Sequence, residues 1–203
     1  MNLKKYRIAF VVATFIVALL VASPALQRLL VLPSPERFTE LWLLGTNHEA
    51  QGYPFNITQG QNYTIYLGIG DRLGSGAYYV VEVKFRNQSQ PGVNSSENTG
   101  SNMPPLYNIS AFVADQQVWE KLLTFSIDYT YNANSSRVDF SSLRMNDVLL
   151  DLSGNSAEWN STTNGFFGNL FFELWIYDPD NSAILTFRYN ERFVGLWLNM
   201  TVT

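Results

Sequence analysis

Residues Leu123–Tyr131 alternate strictly between apolar and polar. Leu123, Phe125, Ile127, Tyr129 and Tyr131 interleave with Thr124, Ser126, Asp128 and Thr130. A helix would scatter these apolar side chains around its circumference. A strand puts them on one face, because successive side chains of a pleated backbone point to opposite sides. The same period recurs in Asn62–Gly70, with Tyr63, Ile65, Leu67 and Ile69 on one face, and in Tyr107–Val113 and Leu196–Val202. Phe38–Leu44, Ala77–Arg86, Leu170–Tyr177 and Ile184–Tyr189 also read as strands. A short strand is expected at Arg137–Phe140, and Val148–Leu152 fits either helix or strand. The Gly-rich Asp71–Gly76 is expected to close a hairpin, and Asp178–Ser182 is a turn by composition. Asn87–Pro105 and Ser153–Gly168 read as polar loops. Short strands separated by turn signals, with no repeat and no heptad, predict an all-β fold: an immunoglobulin-like β-sandwich of about seven to nine strands.

That pattern does not begin at the N-terminus. Ile8–Ala22 is apolar apart from Thr14 and follows the basic cluster Lys4, Lys5 and Arg7. Apolar character resumes at Leu29–Leu32, so residues 8–32 form a candidate membrane helix with its basic end on the cytoplasmic side. A cleaved signal peptide has the same basic start and apolar middle, with Ser23 and Ala25 as small residues near a cleavage point. Both alternatives export the rest of the chain. The expected division is therefore an anchor or signal peptide over 1–32 and an extracellular β-domain over 33–203.

Charge follows this division. Residues 1–32 carry four cations and no acid, whereas 33–203 carry 9 basic and 17 acidic residues, a net −8. An acidic domain lacks the basic face that phosphate contacts require, so no nucleic-acid partner is expected. The absence of cysteine excludes disulfides, thiolate metal sites and cysteine nucleophiles.

Asn-x-Ser/Thr occurs at Asn56, Asn62, Asn87, Asn94, Asn108, Asn134, Asn160 and Asn199. Chance placement of 19 Asn and 30 Ser and Thr in 203 residues would give about three such triplets. In an exported chain the triplet is a glycan acceptor. Strand period puts Asn62, Asn108 and Asn199 opposite the apolar face, where a glycan has room.

Pro33–Pro54 (PSPERFTELWLLGTNHEAQGYP) holds a Pro-containing linker, then Phe38-Thr39-Glu40, an aromatic-aliphatic run ending Leu44-Gly45, and Tyr53-Pro54. With the following NITQGQNYTIYLGI and the terminal Leu196-Trp197-Leu198-Asn199, this resembles the extracellular domain of domain-of-unknown-function family 1616, a largely archaeal group of membrane proteins. The resemblance implies an outward-facing sandwich on a membrane and no assigned activity. The family commonly has several membrane helices, whereas this chain has room for one.

No catalytic constellation emerges. His48 is the only histidine, no Gly-x-Ser-x-Gly elbow accompanies it, and a multi-histidine zinc site is impossible. It is expected in a solvated turn between Gly45 and Gly52. Asp178 and Asp180 are weak candidates for Ca²⁺, without the ligand spacing of a calcium loop. Gly68, Gly70, Gly74 and Gly76 have no helix behind them to make a phosphate site. No cofactor is expected, and nothing selects a glycosidase-type carboxylate pair. In Leu170–Tyr177 both faces are largely apolar, Phe171 and Trp175 on one and Leu170, Phe172, Leu174 and Ile176 on the other. The outer face must therefore be shielded by loops or glycans, or form a surface for self-association or sugar stacking; Trp197 shares this ambiguity.

The functional expectation is a non-enzymatic, membrane-anchored, N-glycosylated cell-surface module whose partners are the membrane, other envelope proteins or itself. The alternative is a cleaved filament subunit assembling by donation of the Leu26–Leu32 strand. A secreted hydrolase ranks last.

Overall fold

The computed structural model describes residues 6–30, 36–94, 96–178 and 186–202, with side chains of 24–30 excepted. The chain forms two compact units, Met1–Glu36 and Arg37–Thr203. In the first, helix α1 runs Arg7–Leu30. Its side chains from Ile8 to Ala22 are exposed. Among the described residues no helix is long and apolar enough to cross a membrane. The expected span over 8–32 is therefore not found as a crossing helix; α1 side chains are described only to Ser23, and residues 31 and 32 lie outside the described residues.

The second unit is all β. Its strands are β1 (Phe38–Leu44), β2 (Asn56–Ile57), β3 (Tyr63–Arg72), β4 (Ala77–Asn87), β5 (Tyr107–Val113), β6 (Val118–Asn132), β7 (Arg137–Met145), β8 (Val148–Asp151), β9 (Ser156–Asn160), β10 (Gly165–Asp178) and β11 (Thr186–Met200). The two strands the sequence did not suggest, β2 and β9, are short, and Val148–Leu152, which fits either helix or strand, holds the strand β8. One sheet is ordered β1-β3-β6-β7, with β8 and β9 both pairing with β7. The other is ordered β5-β4-β10-β11-β2. Strand β9 joins them, because Trp159 and Asn160 also pair with Phe166 and Gly165 at the start of β10. The result is a sandwich curled through one continuous ladder. The order β5-β4-β10-β11 matches the C′-C-F-G order of immunoglobulin sandwiches. In the facing sheet β3 is flanked by β6, the earlier strand of its hairpin, where the immunoglobulin A-B-E-D order has the later one.

Period-two patterning accounts for the core. Leu123, Phe125, Ile127 and Tyr129 of β6 are buried, as are Ile65, Leu67 and Ile69 of β3, and they face Val81, Val83, Phe85, Phe172 and Leu174 of the other sheet. Phe85 meets Phe140 of β7 edge-on across the layers at 4.9 Å. Tyr131, expected inward, is exposed at the end of β6. The buried Tyr129 hydroxyl lies 2.7 Å from the Ile57 carbonyl and 2.8 Å from that of Thr201. It thereby ties β6 to the parallel pairing of β11 with β2.

Three sequence expectations change. Asp71–Gly76 is not a hairpin, because both edges of β3 are already taken by β1 and β6, so the chain crosses to the other sheet. The buried Asp71 carboxylate holds that corner. It accepts from Leu73 N at 2.9 Å and from the Tyr79 hydroxyl at 3.0 Å. Burial, then the Asp71 charge, pushes the Tyr79 phenol up beyond the usual tyrosine range. Ser153–Gly168 is not all loop, since it contains β9 and the start of β10. The strands expected at Ile184–Tyr189 and Leu196–Val202 merge into one strand, β11 over Thr186–Met200, with an irregularity opposite Leu174/Trp175 near Glu191, whose φ is 55°; Ile184 and Leu185, and Pro179–Ser182 of the expected turn, lie outside the described residues.

Candidate functional site

Strand β10 is buried on both faces, which fits its two-sided apolar pattern. The outer face is covered by the chain's own loop, described over residues 88–94 and 96–105. Arg86 Nη1 donates to the Gln90 carbonyl at 2.8 Å, and Val93 sits over Phe171, Phe193 and Trp197 around a cavity of about 130 Å³. Gly100 lies against Glu173 and Trp175. The reading of loop shielding is therefore the one realised over Phe171 and Trp175.

Under this loop sits an ionic cluster that sequence reading missed. Glu82 of β4 and Glu173 of β10 are directly opposite in register, a placement that is unfavourable for like charges. Lys84 resolves it. Its Nζ is 2.9 Å from Glu82 Oε2 and 2.8 Å from Glu173 Oε2, and it also donates to the Ser101 carbonyl at 3.2 Å. Ser101 N donates to Glu173 Oε1 at 2.8 Å. The Lys84 and Glu173 side chains are 2% and 0% exposed, so this pair is sealed from water, whereas the Glu82 side chain keeps some contact with solvent. Burial, then the Glu173 charge, pushes the neighbouring Tyr189 phenol up to about 12. Lys84 serves both carboxylates and the Ser101 backbone is bonded to Lys84 and Glu173, so the arrangement is a clamp holding the loop on the sheet. The alternation Glu82-x-Lys84 was the only trace of it in the sequence.

The candidate ligands of the sequence fare as follows. His48, at φ 59°, is exposed as expected but pinned. Its Nε2 is 2.6 Å from Glu120 Oε1 and its ring stacks on Tyr66 at 3.7 Å. Asp178 is 3.5 Å from Arg188 Nε, and Asp180 lies outside the described residues. Among the described residues no three His, Cys, Asp or Glu side chains gather as a metal site.

The sequons divide by what their amide nitrogen, the atom that would carry a glycan, already does. Asn56, Asn62, Asn94, Asn108 and Asn134 are exposed. Asn87 Nδ2 donates to the Ser156 carbonyl at 2.7 Å, and Asn199 Nδ2 donates to Asn56 Oδ1 at 3.0 Å. Asn199, expected outward, is half-buried by that bond and by accepting from Phe166 N at 3.2 Å. Asn160 uses only its oxygen, which accepts from Thr162 N and Thr163 N at 2.9 and 3.1 Å.

Asn160 also lines two adjoining hollows that share Gln88. One is polar, about 410 Å³, walled by Asn87, Ser89, Ser156, Glu158 and Trp159. The other, about 630 Å³, is walled by Phe55, Thr163, Phe167 and Trp197. The Arg86 guanidinium lies 5.0 Å from the Trp197 ring centre and steadies the indole. Phe55, Trp159 and Trp197 are exposed, which clusters three large aromatics near one groove and makes it the candidate site.

The family model described as "Domain of unknown function (DUF1616)" matches residues 32–140, more than half of the chain. The chain belongs to this family. No curated protein matches it. Among solved structures it is similar to a chain in the crystal structure of the complex formed between zinc 2-glycoprotein and prolactin inducible protein from human seminal plasma. The identity is 8%, the match covers 84% of this chain and 100% of that one, and the TM-score is 0.39.

Proposed function

We propose that this member of the family is a non-enzymatic surface module, held at a membrane by its N-terminal apolar segment, coated with N-linked glycans, and acting by contact with other envelope components. The observation that carries the reading is the excess of sequons together with their exposure: Asn62, Asn94, Asn108 and Asn134 stand on the surface of an acidic, cysteine-free sandwich. The membrane part is supported by α1, whose side chains from Ile8 to Ala22 are exposed and apolar nearly all round. Such a helix requires a lipid or protein environment.

The test is the intact mass and N-terminal sequence of protein purified from its native membranes. A chain beginning at Met1 and heavier than the bare polypeptide by glycan increments is expected. Unmodified chain in the cytosolic fraction would refute the proposal. A filament subunit is the second reading, favoured by one observation: among the described residues β5 pairs only with β4, which leaves an edge that a donated strand could complete. Its donor would include Leu26–Leu30, which are helical in α1. A chain beginning near Leu26 and sedimenting as polymer would favour that reading.

A further inference from the structure

We propose that a glycan on Asn160 folds back onto the chain and occupies the groove walled by Phe55, Phe167 and Trp197. The inference rests on the glycoprotein reading and gives one sequon a specific role.

Two of the other three sequons around this groove differ from Asn160 in a chemically decisive way: Asn87 and Asn199 have their Nδ2 atoms committed to hydrogen bonds. Asn56, like Asn160, engages only its oxygen, on which it receives the Asn199 amide, but it lines neither hollow. Asn160 is held by its oxygen alone, in a turn that fixes the side chain while leaving the nitrogen without a partner. Its side chain lines both hollows, so a sugar on Nδ2 starts at the groove instead of having to find it.

The lining fits a neutral pyranose. The larger hollow has no charged wall residue; its walls are three aromatics, the amides of Gln88 and Asn160, and the Thr163 hydroxyl. Aromatic faces suit the apolar C–H face of a sugar ring, and the amides suit its hydroxyl rim. The polar hollow beyond, with Ser89, Ser156, Glu158 and Ser161, offers further donors and acceptors for a second sugar. Attachment supplies what weak stacking lacks. A short tether gives an effective concentration in the millimolar range, so a sugar with millimolar intrinsic affinity fills the groove about half the time.

The test is hydroxyl-radical footprinting of the full-length protein from its native membranes, read per peptide by mass spectrometry. Wild type is compared with Asn160→Gln and with Thr162→Ala, which removes the acceptor triplet but keeps Asn160. Half-occupancy predicts that Trp197 and Phe55 are oxidised about twofold faster in both variants than in wild type. Tyr78 and Phe112, an exposed pair elsewhere on β4 and β5, serve as controls and should not change. Equal rates at Trp197 with Asn160 glycosylated overturn the proposal. A bare Asn160 on a chain glycosylated elsewhere overturns it while leaving the glycoprotein reading intact, and a chain bare at every sequon overturns both.

Discussion

Lys84→Met is the sharpest test of the clamp beneath the loop. Methionine keeps most of the stem volume, so the substitution removes mainly the charge. It strands Glu173, which is fully buried, with one remaining hydrogen bond from Ser101 N and with Glu82 directly opposite. Breaking a buried pair from one side costs about 3–5 kcal/mol. With a slope near 2 kcal/mol/M for urea, the unfolding midpoint of the Arg37–Thr203 unit should fall by about 1.5–2.5 M. Glu173→Gln should cost less, about 1–2 kcal/mol, because Lys84 keeps Glu82 and glutamine keeps an acceptor for Ser101. The double variant should lose less than the sum, with a coupling of about 1–3 kcal/mol. Limited proteolysis supplies a second reading: cleavage within residues 88–105 should accelerate in Lys84→Met before global unfolding does. A Lys84→Met midpoint within about 0.5 M of wild type, with additive effects in the double variant, would refute the clamp.

Other outcomes follow from the same geometry. Glycopeptide mass spectrometry should find Asn87 and Asn199 occupied less than Asn62, Asn94, Asn108 and Asn134, because their amide nitrogens are already donating within the fold; equal occupancy would contradict this. Tyr189 is raised from an ordinary value of 10.0 to about 12 and Tyr79 is raised as well, so the folded state holds these protons longer than the unfolded one. Their stabilisation is intact below pH 10 and is lost as pH climbs towards 12. Urea midpoints should therefore fall across that window, less steeply in Tyr189→Phe. Tyr129→Phe removes the hydroxyl that joins β6 to the Ile57 and Thr201 carbonyls, and should lower stability by about 1 kcal/mol in the same denaturation assay.

Much of the fold was legible because it rests on local period. Phe38–Leu44 and Tyr107–Val113 are strands with the bounds the sequence predicts, the second by its alternation. The two-sided apolar pattern of Leu170–Tyr177 announced a strand with either shielding or an interaction surface on its outer face, and the structure realises the shielding over Phe171 and Trp175. Connectivity was not legible. Asp71–Gly76 looks like a hairpin turn in any sequence, and only the occupied edges of β3 send the chain to the opposite sheet. Strand β9 was hidden in a Gly/Asn/Ser-rich stretch because its pairing with β7 and β10 comes from chain segments on either side of it in space.

The functional reading divides in the same way. The acidic balance, the absence of cysteine and the eight acceptor triplets are properties of residue identity and local order, so the sequence by itself determined them. Which triplets have a free amide, and that Asn160 shares a groove with Phe55 and Trp197, depends on residues from separate strands and loops meeting in the closed sandwich. The same holds for Lys84, Glu173 and Ser101. Strand period reports which face a side chain takes, whereas strand order and register choose its neighbours. Those are decided only when the two sheets close on one another.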